Sequence, residues 1–231
     1  MKPLLLLHGA LGAENQFEPL LSLLPDTVPV HSLNLPGHGG APFSDEAPFT
    51  MEAFADQLLQ WLQEKNLGPV NVFGYSMGGY VTLEAARQQP QHFGQIFTLA
   101  TKFAWSPAGA QHEIAKLQPD VVQAKVPQFA EVLRQRHAPQ DWRELMRQTA
   151  HMMQQLGAQP LLTPETLAQV QVPVRVAVGD RDQMVTLEET VNAYRNLPTA
   201  QLQILPNTKH PLEQIHWPLL TQALTHYFAY A

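Results

Sequence analysis

Short apolar runs alternate with longer amphipathic stretches through most of this chain, and no other feature limits its fold so tightly. Residues 4–7, 28–33, 70–73, 95–100, 174–178 and 201–205 read as strands. Residues 51–65, 81–89, 187–196 and 217–227 carry apolar side chains at helical spacing. In the first of these, Met51, Phe54, Leu58, Leu59 and Leu62 share one face, and Thr50 stands where an N-cap hydroxyl is wanted. Strand and helix in repetition predict an α/β fold, a mostly parallel sheet of about six strands flanked by helices. A length of 231 residues suits one such core with a modest insertion.

The rhythm breaks between residues 103 and 171. No clear strand lies there, and Pro119, Pro127, Pro139, Pro160 and Pro164 divide the stretch into short helical pieces such as 129–136 and 142–156. Six basic residues balance six acidic ones within it, so the rest of the chain carries the whole net charge of -6. A neutral helical insert in an acidic core reads either as a lid or as an ordinary structural excursion. Met146, Met152 and Met153 fit core packing better than a pocket wall.

Composition removes several chemistries. The absence of cysteine excludes a disulfide framework, a thiolate zinc site, an iron–sulfur cluster and a cysteine nucleophile. His112, His137 and His151 show no metal-ligand spacing with acidic partners, so no metal or other cofactor is expected. The acidic balance leaves no electrostatic footprint for nucleic acid. The apolar run at residues 3–7 is far below the roughly 20 residues of a membrane span. It also lacks the longer apolar region and cleavage site of a signal peptide, so no membrane partner and a cytoplasmic location are expected. Charged residues are only 15%, and 25 glutamines supply much of the remaining surface polarity.

Gly74-Tyr75-Ser76-Met77-Gly78 stands between an expected strand and an expected helix. A strand that turns at once into a helix strains the intervening residue, and only small neighbours let the chain pass so closely. Such a turn holds the Ser76 hydroxyl exposed above the sheet edge, over a helix N-terminus. With 13 glycines and 5 serines, random placement produces G-x-S-x-G only about 0.02 times in such a chain.

A serine used this way needs a base, and the base needs an orienting acid, in the chain order serine, acid, histidine. Strand 174–178 runs into Gly179-Asp180-Arg181-Asp182, and strand 201–205 is followed by a loop ending in Lys209-His210. Asp180 and Asp182 compete for the acid. Asp182 is favoured because it sits deeper in the loop, where it can reach a histidine. Among ten histidines, His210 alone lies just after a final strand. Two backbone N–H groups suit an oxyanion hole, Met77 after the serine and Ala10 in the loop after the first strand. His8 and His38 read as loop braces.

These motifs together resemble the α/β-hydrolase superfamily, specifically its small carboxylesterase-like members. The matching segments are LLLLHGALG, LNLPGHG, GYSMGG, GDRDQMV and KHPLEQ. The likeness implies Ser76 as nucleophile, Asp182 as acid, His210 as base, and Ala10 and Met77 as oxyanion donors. It implies a core of residues 1–102 and 172–231, with residues 103–171 as a helical cap inserted late in the core. It further implies a six-stranded sheet, since the usual two leading antiparallel strands are missing. Asn34 stands where the family commonly has Asp, and Lys209 replaces a frequent glycine.

The implied activity is cleavage of a small carboxylic ester or related acyl substrate. C–C bond hydrolase, lactonase and thioesterase chemistry use the same triad, and some relatives are small-molecule receptors with a vestigial one. Ser76 argues against dehalogenase chemistry, which uses aspartate. Tyr80 stands where one synthase branch has an arginine. Phe103, Trp105, Phe129 and Trp142 are expected to shape the substrate pocket.

Overall fold

The expected alternation appears in a computed structural model, which describes residues 1–230. Its strands are β1 (Leu4–Leu7), β2 (Val30–Leu33), β3 (Val70–Tyr75), β4 (Phe93–Leu99), β5 (Val174–Gly179) and β6 (Ala200–Leu205). They form one sheet in the order β2-β1-β3-β4-β5-β6, and every neighbouring pair is parallel. Leu4, Leu5, Leu6 and Leu7 are all completely buried, as a central strand covered on both faces requires. Strand β2 begins two residues later than the apolar run because Pro29 has no N–H for the ladder; its carbonyl instead accepts from Leu4 N at 2.8 Å.

Alternate residues along the strands feed two cores. Leu5, Leu7, Val70, Val72, Val174 and Val176 pack with the helices Met51–Glu64, Met77–Gln88 and Leu187–Asn196. Leu4, Leu6, Phe73, Phe97 and Leu99 pack on the opposite face with the helix Trp217–Phe228. Thr50 caps the helix Met51–Glu64, its hydroxyl accepting from Ala53 N at 3.2 Å. The helix after β3 starts at Met77, earlier than its apolar periodicity indicates, because Gly78 and Gly79 are poor helix formers held helical by their packing.

Between β4 and β5 the chain forms the helices Pro107–Ile114, Pro119–Lys125, Pro127–His137, Trp142–Ala158 and Pro164–Leu167. Four prolines there act as starters rather than breaks, each placed at the first turn where a missing N–H costs nothing. Ala130, Leu133, Trp142, Leu145 and Met146 form a small apolar cluster of this insert's own, closed by Leu11 from the core. The return to the core is fastened by Tyr80, whose hydroxyl accepts from Leu161 N at 3.0 Å and Leu162 N at 2.8 Å.

Packing is tight where the helix Met77–Gln88 passes the ends of β1 and β3. A Cβ on Gly78 would stand 2.2 Å from the Leu7 carbonyl oxygen, and a Cβ on Gly74 would stand 2.6 Å from Gly79 Cα. Backbone on both sides leaves nothing to rotate away. Gly78→Ala should therefore lose about 1–3 kcal/mol in urea unfolding. Gly68→Ala, whose Cβ meets nothing within 4 Å, should stay within about 0.5 kcal/mol of the parent.

Candidate active site

Strands β2 and β3 lie on opposite sides of β1, so the sheet reverses its winding between β1 and β3, the position where open α/β sheets bind ligands. Ala10 follows β1 and Ser76 follows β3, and the register pairs Leu7 with Gly74. Asp182 and His210 follow β5 and β6, whose ends are paired through Gly179 and Leu205. Parallel strands in register thus deliver all four loops to one edge.

Ser76 has φ 51° and ψ -115°, a left-handed conformation that a side-chain-bearing residue rarely adopts. The surroundings leave it no alternative. Its N–H donates to Leu99 O at 2.8 Å, and its carbonyl accepts from Gly79 N at 3.1 Å and from Thr101 Oγ1 at 3.0 Å. Its hydroxyl lies 3.5 Å from His210 Nε2, and His210 Nδ1 lies 2.8 Å from Asp182 Oδ2. The Asp182 side chain is 1% exposed. Its second oxygen accepts from Met184 N and Val185 N, both at 2.8 Å, so the carboxylate is fixed before it meets the imidazole. Asp180 turns elsewhere, accepting from Thr208 N at 3.2 Å and facing the exposed Arg181 at 3.8 Å.

Tyr75 donates its hydroxyl to His210 O at 2.6 Å, tying the histidine's backbone to the end of β3. Burial, with the negative charges of Glu213 and Asp182 nearby, pushes this phenol far above its usual range, so it remains a donor. Ala10 N and Met77 N enter no hydrogen bond in the loop network of the described residues, and both residues line the cavity that contains Ser76. Two free amides beside a half-buried hydroxyl can stabilise a negatively charged oxygen.

Three buried histidines hold the loops around these amides. His8 donates from Nδ1 to Gly9 O at 2.8 Å and accepts from Leu35 N at Nε2 at 3.1 Å. His38 donates from Nδ1 to Pro36 O at 2.9 Å. His137, at the end of the helix Pro127–His137, accepts from Gly39 N at Nδ1 and donates from Nε2 to Leu11 O at 3.1 Å. Arg136 also donates to Leu11 O, at 3.0 Å, and pairs with Glu213 at 2.9 Å. Both residues join the insert to loops on either side of the serine.

The Ser76 cavity is narrow, about 30 Å³, and is lined by Ala10, Met51, Met77, Tyr80, Lys102, Trp105, Glu113, Met153 and Met184. Of the four aromatic residues expected to shape it, Trp105 does so. Phe103 packs into the core and faces a separate groove beside the helix Leu187–Asn196. Trp142 is consumed by the insert's own apolar cluster, with Arg143 over its ring, and Phe129 is 41% exposed on the insert surface. Met153 lines the cavity, whereas Met146 and Met152 are core residues. Sequence reasoning missed Lys102 and Glu113. Lys102 had a signal, its position just past a strand at the same edge as the serine. No group of described His, Asp and Glu residues could hold a metal ion, and no described helix is long and apolar enough to cross a membrane.

Residues 4–223 match the alpha/beta hydrolase family, and the chain belongs to it. Among its relatives is a pimeloyl-[acyl-carrier protein] methyl ester esterase of Neisseria meningitidis serogroup C, 38% identical over 90 residues, which are 39% of this chain and 33% of that one. An (E)-2-((N-methylformamido)methylene)succinate hydrolase of Acinetobacter baylyi is 32% identical over 89 residues, 38% of this chain and 34% of that one. These matches therefore span about a third of the relatives' own length. An esterase from Exiguobacterium antarcticum superposes with a TM-score of 0.80 at 14% identity, covering 99% of this chain and 92% of that one. An enol-lactonase from Burkholderia xenovorans LB400 gives 0.79 at 16% identity, with 99% and 92% covered. At such identities the superpositions speak for the fold alone.

Burial lowers the pKa of His8 and of His137 to about 4, and holds His38 well below the usual histidine range. Each is neutral when folded, and each gains a proton on unfolding once the pH drops below about 6.5. Stability should therefore be complete above about pH 6.5 and decline as pH falls toward 4, by up to about 1.4 kcal/mol per pH unit for each histidine. Urea unfolding at about pH 7 and about pH 5 measures this loss; equal stability at both would contradict it.

Proposed function

We propose that this chain is a serine hydrolase that cleaves a carboxylic ester or related acyl compound through an acyl-enzyme. The observation that carries this reading is the continuous arrangement from the strained Ser76, which lines a cavity, through His210 to the buried, doubly anchored Asp182. The family's name, the methyl ester esterase among its relatives and the hydrolase among them agree with it.

In this reading Ser76 Oγ attacks the substrate carbonyl carbon while His210 Nε2 takes its proton. Asp182 holds the imidazole so that Nε2 faces the serine, and it stabilises the cation that forms. Ala10 N–H and Met77 N–H receive the carbonyl oxygen as it becomes an oxyanion. The tetrahedral species collapses, the ester C–O bond breaks, and the leaving alkoxide takes the proton from His210. Water then repeats the cycle on the acyl-serine and releases the acid. The 3.5 Å separation between Ser76 and His210 is long for a hydroxyl hydrogen bond, as such contacts often are before substrate engages. Residues 1–102 and 172–231 act as the core, and residues 103–171 act as a cap that closes the cavity with Trp105, Glu113 and Met153.

A short p-nitrophenyl ester should be hydrolysed, and Ser76→Ala should reduce kcat/KM by at least about 1000-fold. A fluorophosphonate probe should label the parent protein at Ser76, as mass spectrometry of the digested adduct would report. Turnover that persists in Ser76→Ala, or labelling at another residue, would defeat the assignment.

A further inference from the structure

The cavity above Ser76 is walled mainly by apolar side chains, yet two charged ones stand in its lining, Lys102 and Glu113. Each is largely withdrawn from water, with side chains 17% and 5% exposed. Placing an ion against apolar surface is costly unless partners replace its hydration. The two differ in how they are satisfied. Glu113 pairs with Lys116 at 2.9 Å, a good charge-assisted hydrogen bond within its own helical turn.

Lys102 makes no hydrogen bond through its ammonium among the described residues. The acid nearest to it is Glu189, at 3.9 Å, beyond hydrogen-bond range. That carboxylate is already occupied. Glu189 Oε1 accepts from Phe103 N and Ala104 N, and Oε2 accepts from Thr186 N and Thr186 Oγ1. The Trp105 ring, 5.8 Å away, offers a weak cation–π contact and no acceptor atom. A lysine serving only to fasten the start of the insert would be expected to close onto Glu189. This one is left with unused donors in the same cavity as the serine.

We propose that Lys102 binds an anionic oxygen of the substrate, so that the site takes esters carrying one free carboxylate on the chain attached to the scissile carbonyl. This rests on the reading of Ser76 as nucleophile. Glu113 limits the charge: a second carboxylate in the cavity would face it, so the site suits a monoanion. The cavity of about 30 Å³ has room for about one water. Met51, Met153 and Met184 line it, and such unbranched side chains can repack around a short chain. The balance of charge is then met by ligand: Lys102 exchanges water for a carboxylate oxygen in a low-dielectric wall, where the attraction is stronger than in solvent.

The test is calorimetric titration of the Ser76→Ala protein with monomethyl glutarate and with methyl pentanoate, a neutral ester of equal chain length. The half-ester should bind at least about tenfold more tightly. Adding Lys102→Met should remove that preference, and adding Lys102→Arg should retain most of it. Because Lys102→Met could loosen the insert, its affinity ratio is read below its measured Tm, and the Arg variant tests the charge without losing it. Equal affinity for the two ligands, no binding of the half-ester, or a preference that survives Lys102→Met would each overturn the proposal. Turnover by the parent protein separates the two readings. Ser76-dependent hydrolysis of both esters with no charge preference leaves the serine hydrolase reading intact and removes this one. A Lys102-dependent binding preference without Ser76-dependent hydrolysis removes the serine hydrolase reading and overturns the ester specificity with it, leaving only anion binding at Lys102.

Discussion

The close passage of the Met77–Gln88 helix beneath the end of β1 is the constraint on which the rest of the molecule depends. It leaves no room for a side chain at Gly78 against β1 or at Gly74 of β3 against the helix's own first turn, and the single residue between strand and helix takes a left-handed turn. Such a conformation costs on the order of 1–3 kcal/mol. It persists because the strands on either side are buried and in register, and because Leu99, Gly79 and Thr101 grip the Ser76 backbone. The strain has a geometric return: the hydroxyl projects from the sheet edge with helix N–H groups beside it.

A projecting serine is of little use unless the partners from β5 and β6 arrive at the same place. Their loops are locked together just beyond the strands. Arg181 N donates to Thr208 O at 3.0 Å, and a Cβ on Gly179 would stand 2.1 Å from that same oxygen. This contact brings the turn carrying Asp182 against the loop carrying His210. Tyr75 then ties His210 O to the strand that leads into Ser76. Sheet register, one glycine and one buried phenol thus fix the spacing of three side chains drawn from widely separated parts of the chain.

Sequence patterns revealed the core because its determinants are local. Continuous burial writes Leu4 to Leu7 as an unbroken apolar run, and one-sided burial writes Met51 to Leu62 at helical spacing. The glycines around Ser76 are legible for the same reason, since each answers to a steric demand from its immediate surroundings. The insert was harder. Its apolar residues serve two masters, the small cluster around Trp142 and the cavity around Trp105, and spacing along a helix cannot tell one from the other. Glu113 was hidden because charged residues in a helical insert usually face water, and Lys102 was signalled only by its place past a strand at the serine's edge. Only the tertiary structure turns them toward the serine. Arg136 and His137 were equally silent, since their partner is a backbone carbonyl, which has no signature in sequence.

That last pair decides how the insert and the core can act on one another. Leu11 has φ 57°, and its carbonyl receives both the Arg136 guanidinium and His137 Nε2. Ala10, whose amide is free, is the residue just before it. Moving the helix Pro127–His137 as a unit would strip two donors from Leu11 O, break the pairing of Arg136 with Glu213, and leave Gly39 N without its acceptor. Losing even one buried partner costs about 1–3 kcal/mol. The helix Pro119–Lys125 has no such attachment and buries none of its residues. The insert is therefore not uniform: its Arg136–His137 end is hydrogen-bonded to the loop beside Ser76, whereas the helix Pro119–Lys125 packs against the insert itself.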